Sequence, residues 1–127
     1  RALDPTAVRY LGTIPFDQTW DYLHHADVGV VVSAGPFMHN NESSKIYYYL
    51  RCGLPVVSES GFPNDYVVEE SGHGVVVESG NLECMASTIE EVAHSHWSRA
   101  AAVSYILERH TWDHRAQTYR PLMECRS

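Results

Sequence analysis

Cysteine is scarce in this chain of 127 residues: there are three, and no two have the Cys-x-x-Cys spacing. An odd number of widely spaced cysteines argues against a disulfide framework, so we expect reduced thiols and a cytoplasmic setting. Long apolar runs are also missing, so the sequence predicts neither a signal peptide nor a membrane-spanning segment. The chain opens with Arg1 rather than methionine, and we expect it to be a piece of a longer protein.

Positive charge is also in short supply. The chain has nine Lys and Arg residues against 16 Asp and Glu residues, which gives a formal net charge of −7. An acidic surface repels phosphate-rich polymers, and this argues against nucleic acid or an anionic membrane as a partner. A small diphosphate can still bind, because the local field of one helix end and one lysine decides that.

Several catalytic and metal-binding signatures are absent. The sequence has no Ser-His-Asp ordering, no Walker loop and no Gly-x-Gly-x-x-Gly. Among its eight histidines, His110 and His114 have helical spacing, but Thr111 predicts a new helix start between them. His94 and His96 form a second pair. No cysteine or carboxylate at ligand spacing completes either pair, so we predict no metal and no cofactor.

The remaining composition is that of an ordinary globular domain, with 44% hydrophobic and 20% charged residues in a length that fits one domain. Valine-rich runs alternate with helical patterns along the chain. Continuous apolar runs are typical of parallel strands buried on both faces, so this alternation predicts βαβ units. The predicted fold is therefore α/β, a Rossmann-like doubly wound parallel sheet of about four strands at residues 7–12, 27–33, 54–58 and 74–78.

Apolar residues at helical spacing predict the helices around this sheet. The first helix starts near Asp17, which we predict as its N-cap, and a short helix passes through Val68 and Glu70. Asn81 is predicted to cap a long helix. The apolar stripe of that long helix is predicted to consist of Leu82, Met85, Ala86, Ile89, Val92 and Ala93.

Two more helices are predicted near the carboxyl end, at about 97–110 and 112–125. Thr111 fits as the N-cap of the second one. Its packed face is predicted to contain Trp112, Ala116 and Tyr119.

Residues 40–57 organise the rest of the chain as a polar loop, a helix, a glycine and a buried strand. The helix begins near Ser43, so its unpaired backbone N–H groups and positive dipole end form an anion site. Lys45 lies in the first turn, and Tyr48 projects from the same face three residues later. A cation beside an aromatic hydroxyl suits a nucleotide. Gly53 ends the helix.

The loop at residues 34–41 follows the carboxyl end of the second predicted strand, where open α/β sheets bind ligands. His39 in this loop could touch a phosphate or a sugar. Gly35 either permits close approach of a ligand to the backbone or only forms a turn. The candidate nucleotide-binding residues are Gly35, His39, Glu42, Ser43, Ser44, Lys45 and Tyr48.

Each of these residues also has a structural interpretation. Glu42 and Ser43 can simply cap the helix, although Ser43 and Ser44 can equally donate to phosphate oxygens. Lys45 taken alone would be an ordinary solvated lysine. Three consecutive tyrosines at residues 47–49 cannot all face a ligand, so at least one belongs to the core.

A pattern in the central segment reads Ser44-Lys45-x-x-x-Tyr49-Leu50-x-x-Gly53-Leu54-Pro55-Val56-Val57. It resembles the donor-binding segment of GT-B glycosyltransferases of the group 1, GT4-like, class. The likeness spans nearly the whole chain and continues through Tyr10-Leu11-Gly12, Tyr22-Leu23, Ala26-Asp27-Val28, Gly72-x-Gly74-Val75-Val76-Val77 and Thr111-Trp112.

One departure from that family concerns its glutamates. The ribose-binding glutamate of the family falls on Tyr48, and the earlier one falls on Asn40. The segment Ser43-Ser44-Lys45 is similar to a branch without this glutamate, which looks like the bacterial exopolysaccharide glucuronosyltransferases.

The resemblance implies a donor-binding domain that holds a nucleoside-diphosphate sugar, with UDP expected, for transfer to an acceptor. The acceptor would bind to an N-terminal domain missing from this chain, so the isolated chain is expected to be inactive and its catalytic residues stay unknown. A hexosyl-type enzyme of polysaccharide biosynthesis is implied, in the cytoplasm or peripheral to the inner membrane, with no metal. Two alternatives remain open: a sugar-nucleotide epimerase of the same architecture, and a non-catalytic flavodoxin-like or receiver-type module.

The family likeness also implies an incomplete sheet. A complete domain of this kind has six strands, and the four predicted here resemble its last four. In the doubly wound order the first of them would not neighbour the second. Either residues 8–10 move beside Val30, or another chain completes the sheet, which would allow self-association through the open edge.

Overall fold

The structure is a computed structural model that describes residues 6–124. It is an α/β fold, as predicted, with helices on both sides of a parallel sheet. The strands are β1 (Gly29–Val31), β2 (Val56–Glu59) and β3 (Gly74–Val77). The helices are α1 (Phe16–His24), α2 (Ser44–Arg51), α3 (Tyr66–Glu70), α4 (Leu82–His94), α5 (Arg99–Arg109) and α6 (Trp112–Glu124), and a 3-10 helix spans Pro36–Asn40.

The sheet has three parallel strands in the order β1-β2-β3. Val57 of β2 lies opposite Val30 on one side and Val75 on the other. Every residue of β2 is buried, as expected for a central parallel strand. Because consecutive β2 residues point to opposite faces, Val56 and Val57 belong to two different core clusters.

The prediction of a first strand at residues 7–12 is wrong. These residues are irregular, and Tyr10 is 86% exposed. The edge of β1 that faces away from β2 has no strand beside it in the described part of the chain, so residues 8–10 do not move beside Val30 and their N–H and C=O groups form no ladder. β1 is also shorter than the predicted 27–33, which is consistent with its position at an edge.

One core cluster joins α2, α3 and α5 to the sheet, through residues such as Ile46, Leu50 and Ile106. The other joins α4 to the opposite face, through Met85 and Val92. The sheet is therefore covered on both faces, which is the doubly wound arrangement predicted from the sequence.

Most predicted helix ends are confirmed. Gly53 follows α2 with a φ of 71°, and its N–H donates to the Leu50 carbonyl at 2.9 Å. The side chain of Asn81 accepts a hydrogen bond from the Cys84 N–H and caps α4. The Thr111 hydroxyl accepts from the N–H of His114 at 3.3 Å, so it caps α6.

Two helix predictions need correction. Asp17 is not the N-cap of α1, because Pro15 occupies that position and Asp17 lies within the first turn. The buried stripe of α4 contains Met85, Thr88 and Val92, whereas Leu82 is 78% exposed. Ala86 and Ala93 are exposed as well and Ile89 is partly buried, so the buried face of α4 is narrower than the predicted stripe.

The prediction of a packed face on α6 is also wrong. None of the described residues of α6 is buried, and Trp112 and Tyr119 are 83% and 61% exposed. The helix follows α5 after a break at residues 110–111, and it reaches the rest of the domain mainly through Arg115. The predicted end at Cys125 lies outside the described residues.

One side chain connects the end of α1 to the start of α5. Arg99, at the start of α5, donates to the backbone oxygens of His24 and Ala26 at 3.0 and 2.8 Å. The rings of His24 and His25 bond carbonyls of the last turn of α1, which agrees with their expected place at that helix end. Across residues 6–124, no helix is both long and apolar enough to cross a membrane.

Candidate functional site

The carboxyl ends of the three strands meet at one edge of the sheet, where two loops lie against each other. One loop, at residues 33–43, leaves β1, contains the 3-10 helix and leads into α2. The other, at residues 59–65, leaves β2 and leads into α3. Ligands of open α/β sheets bind at this edge, so the contacts between the two loops define the candidate site.

Glu59 ends β2 and is 8% exposed. One carboxylate oxygen accepts hydrogen bonds from the Ser33 N–H at 2.8 Å and from the Ser33 hydroxyl at 3.0 Å, and the other accepts from the Ser79 hydroxyl. The bond from the Ser33 backbone, with help from Ser79, lowers the pKa of the Glu59 carboxyl group. A buried carboxylate therefore links the chain segments that leave all three strands.

Asn64 holds the other end of the first loop. Its side chain is fully buried, and its oxygen accepts a hydrogen bond from the Ser43 N–H at 2.8 Å. Its amide nitrogen donates to the Ser43 carbonyl at 3.0 Å. This two-point contact fixes the residue just before α2, and with it the direction of the first helical turn.

His39 packs onto the second loop midway between these two contacts. Its ring lies edge-on to Phe62, with centroids 5.3 Å apart. A Cβ added to Gly61 would lie 2.8 Å from Nδ1 of His39, so only glycine leaves room for this ring. The Nε2 atom of His39 is buried and has no hydrogen-bond partner among the described residues.

The start of α2 is exposed at this edge. Ser44 and Lys45 are both exposed, and Lys45 has no hydrogen bond or ion pair within residues 6–124. First-turn N–H groups of a helix lack partners within the helix. At the start of α2, the N–H of the N-cap residue Ser43 donates to Asn64 and the N–H of Ile46 donates to the Ser43 carbonyl at 3.3 Å, so the N–H groups of Ser44 and Lys45 are the ones left for a ligand. The free positive end of α2 and the Lys45 ammonium group together favour an anion.

The three consecutive tyrosines have three different surroundings. Tyr49 packs against Gly29 of β1, where an added Cβ would lie 2.3 Å from its ring, so it belongs to the core. Tyr47 accepts a hydrogen bond from Arg115 at 2.9 Å. Tyr48 packs edge-on against the rings of Phe16 and Trp20, at 6.1 and 5.7 Å, and is 39% exposed.

Glu42 is paired with a residue of α6. The Arg115 guanidinium donates to its carboxylate at 2.5 Å and lies over the Tyr47 ring at 5.4 Å. The bond to Glu42 raises the pKa of Arg115. Glu42 therefore joins α6 to the start of α2, and it is not a cap of α2.

A cavity of about 510 Å³ lies beside α2, between that helix, the end of α5 and the start of α6. Its wall includes Glu42, Ser44 and Tyr48 from the predicted site, together with Trp112 and Arg115. Burial lowers the pKa of His110, another residue of this wall. The cavity is large enough for a small ligand.

The structure distributes the predicted site residues over two neighbouring regions. Gly35 and His39 lie on the loop above the sheet edge, and Ser43 is held there by Asn64. Glu42, Ser44 and Tyr48 line the cavity, and Lys45 is exposed in the first turn of α2 outside that wall. All seven predicted residues thus lie on the loop before α2 or on its first two turns.

Sequence reasoning missed three residues that shape this region: Glu59, Asn64 and Arg115. An acid at the end of an otherwise apolar strand was a usable signal for Glu59, since such a carboxylate needs hydrogen-bond donors. Asn64 and Arg115 gave no such signal, because their partners lie 21 and 73 residues away in the chain.

The histidine pairs do not form a metal site in the described residues. His110 bonds the Tyr105 hydroxyl at 3.2 Å, and His114 bonds Thr111 at 2.9 Å. Within residues 6–124 no three His, Cys, Asp or Glu side chains are grouped closely enough to hold a metal ion. That the chain needs neither a metal nor a cofactor stays a prediction.

A family model described as the glucosyltransferase 3-like, C-terminal domain matches residues 2–106. The match covers all three strands, helices α1 to α4 and α5 as far as Ile106, and α6 lies beyond it. Searches of curated proteins and of solved structures found no match. Since the matched residues make up most of the 127, the chain belongs to the family of glucosyltransferase 3-like C-terminal domains.

Proposed function

We propose that this domain binds the nucleoside-diphosphate sugar donor of a glycosyltransferase, with UDP as the nucleotide. The acceptor would be bound by an N-terminal domain of GT-B architecture, and transfer would need both domains, so this chain alone would be inactive. Family membership supports glycosyl transfer, and the residue pattern of the segment around Lys45 supports a nucleotide-linked donor. A role in polysaccharide biosynthesis is part of the same proposal.

The observation that carries the proposal is the exposed start of α2 at the ligand-binding edge of the sheet. Lys45 brings a positive charge without an ion-pair partner within the described residues, next to the positive end of the helix. A diphosphate carries negative charge and several acceptor oxygens, which match these groups. The net charge of −7 repels a large polyanion, whereas a small anion can bind at the local positive charge of Lys45.

The other residues would have supporting roles. The Ser44 hydroxyl can donate to a phosphate oxygen, and Gly35 lets the backbone of the loop come close to the donor. Tyr48 would contact the ribose, on the cavity side of α2. His39 would approach the sugar or a phosphate from the loop above the edge, since its Nε2 atom has no hydrogen-bond partner among the described residues.

Chemically, the domain would act on the leaving group. When the glycosidic bond of the donor breaks, negative charge develops on the diphosphate. A fixed cation and oriented N–H groups stabilise that charge without reorganising at the moment of reaction. Lys45 and the first-turn amides of α2 would supply this stabilisation with no need for a metal.

Titration calorimetry with UDP tests the proposal. The wild-type domain should bind UDP more weakly as salt is added, because the contact is electrostatic. Lys45→Ala should weaken binding by about 1–3 kcal/mol, the range for a charge-assisted hydrogen bond to a buried or partly buried anion.

Two variants control for the loss of charge. Lys45→Arg keeps the positive charge and should retain most of the affinity, whereas Arg120→Ala removes an exposed charge from α6 and should have no effect. If Lys45→Ala binds UDP as tightly as the wild type, the assignment of Lys45 is wrong. If UDP does not bind at all, the domain does not hold a uridine nucleotide donor.

A further inference from the structure

The loop before α2 is braced on the loop after β2 at three points. Glu59 holds its beginning at Ser33, and Asn64 holds its end at Ser43. His39 rests between them on Gly61 and Phe62. In all three contacts the supporting residue belongs to residues 59–65, the loop after β2. The position of the first turn of α2 therefore depends on where this second loop stands.

Glu59 also fixes the position of the loop after β2, at residues 59–65. Its carboxylate bonds Ser33 beyond β1 with one oxygen and Ser79 beyond β3 with the other. The next residue, Ser60, donates its N–H to the Val77 carbonyl at 2.7 Å, and its hydroxyl accepts from the Ser79 N–H at 3.1 Å. Hydrogen bonds to the chain segments after β1 and β3 thus fix the start of the loop after β2.

The charge of Glu59 suits this task. The site is buried, so hydrogen bonds to an ionised acceptor are stronger than those to a neutral one. The carboxylate accepts three hydrogen bonds, and two of them come from Ser33, the first residue of the loop at residues 33–43. No cation forms an ion pair with it among the described residues, so the serine donors are what hold it.

We propose that Glu59 is a positioning residue for the donor diphosphate, which acts through Ser33 and the loop at residues 33–43 on the first turn of α2. This inference rests on the proposed function, because it assigns a role in the same site. Glu59 itself would not touch the donor. It would keep the Ser44 and Lys45 groups in the orientation that accepts a diphosphate before the ligand arrives.

Two substitutions at Glu59 separate positioning from charge. Glu59→Ala leaves the Ser33 N–H without its acceptor, and we expect it to weaken UDP binding by about tenfold or more. Glu59→Gln keeps an oxygen for Ser33 and offers its amide group to Ser79, so it should restore most of the affinity and lose only about twofold to threefold. Glu78→Ala, which removes an exposed acid just after β3, is the matched control and should bind as the wild type does.

Binding is measured by calorimetry at a temperature where circular dichroism shows each variant folded, and amide hydrogen exchange is measured without ligand. In Glu59→Ala the amides of residues 33–45 should exchange faster than in the wild type and in Glu78→Ala. A folded Glu59→Ala that melts at a lower temperature but binds UDP with wild-type affinity would overturn the inference, since the role would then be stability alone. Unchanged exchange at residues 33–45 would overturn it as well.

The outcomes also distinguish this inference from the proposed function. If the wild type binds UDP and Lys45→Ala binds it more weakly, but Glu59→Ala has normal affinity, only the positioning role of Glu59 is wrong. If the wild type fails to bind UDP, the proposed function is wrong and the role of Glu59 in it is wrong too.

Discussion

In the proposed function Tyr48 would contact the ribose in place of a glutamate, and its ring has two kinds of surroundings. One side packs edge-on against Phe16 and Trp20 of α1, and the residue also lines the cavity beside α2. A carboxylate can accept two hydrogen bonds from a ribose diol, whereas a phenol offers one oxygen and a flat apolar ring. Ribose held by Tyr48 would therefore depend on packing and a single hydroxyl contact.

Substitutions at Tyr48 test this with UDP affinity and melting temperature measured on the same samples. Tyr48→Phe keeps the contacts to Phe16 and Trp20, so it should leave the melting temperature unchanged and cost about 1 kcal/mol of binding free energy. Tyr48→Ala also removes the ring, so it should cost more affinity. It should lower the free energy of unfolding by about 1–3 kcal/mol through the loss of two aromatic pairs.

Phe16→Ala is the matched control for the packing role. It removes one aromatic partner of Tyr48 from α1, and it should lower stability while leaving UDP affinity in the folded protein unchanged. Wild-type affinity in folded Tyr48→Ala would exclude a contact between Tyr48 and the ribose.

Local signals in the sequence predicted a candidate site around Lys45, but they could not predict the contacts that hold those residues. The polar start of α2, its glycine end and the run of tyrosines are all local patterns, and the structure has them where they were predicted. The contacts of Glu59 to Ser33 and of Asn64 to Ser43 join residues 26 and 21 positions apart. Such pairings follow from the packing of loops after folding, so periodicity and capping rules do not reveal them.

Among the predicted strands, those that pair with a neighbouring strand are present, and the one without a neighbour is not. The central strand β2 and its neighbour β3 were predicted within one or two residues: both contain a run of valine, although β2 is buried throughout and only Val77 of β3 is buried. The segment at residues 7–12 has the same apolar character but no strand beside it in the described chain, so it stays irregular. Strand propensity needs a pairing partner to have an effect.

Helix α6 is the least attached element. Its described residues are all at least partly exposed, and Arg115 is its main contact with the body of the domain, through Glu42 and Tyr47. Both partners of the Arg115–Glu42 ion pair are more than a third exposed, so solvent screens it. A helix held in this way should open locally far more easily than the domain unfolds.

Arg115→Ala should therefore release α6 without unfolding the domain. The expected result is faster amide hydrogen exchange throughout α6, unchanged exchange in β2 and β3, and a loss of less than about 1 kcal/mol in the free energy of unfolding. Hydrogen exchange read by mass spectrometry, together with denaturant unfolding, measures both effects.

Arg120→Ala is the control for this experiment. It removes the same charge from the same helix, but the one ion pair of Arg120 within residues 6–124 is with Glu124 of α6, at 3.7 Å. Its effect on exchange should be small. If both variants speed exchange in α6 equally, intrinsic helix stability rather than the contact with Glu42 determines how α6 opens.

Folding buries the side chain of His73 and partly buries that of His110. His73, just before β3, is 3% exposed and lies edge-on to Trp97 with centroids 5.3 Å apart. Burial lowers the pKa of His73, and a hydrogen bond with the backbone of Gly53 only partly opposes this. Burial lowers the pKa of His110 in the same direction. Both side chains are therefore kept neutral in the folded state at pH values where they begin to take up protons in the unfolded state.

This difference gives the domain a stability that depends on pH. The folded pKa of His73 lies below its usual value of 6.5, so at pH 6.5 and below the unfolded chain binds more protons than the folded one. Stability is then fully present above about pH 6.5 and is lost as the pH falls toward the folded pKa. Each such histidine contributes a slope of up to about 1.4 kcal/mol per pH unit.

We expect the free energy of unfolding, measured with urea, to fall between about pH 7 and pH 5, where histidines rather than carboxylates titrate. His73→Phe removes the proton site but keeps a flat ring against Trp97, so it should make this fall shallower. His96→Gln, which replaces an exposed histidine, should leave the slope unchanged. The opposite pattern, with the wild-type slope retained in His73→Phe, would mean that the proton taken up on acid unfolding binds elsewhere, and His110→Gln would then be the next variant to measure.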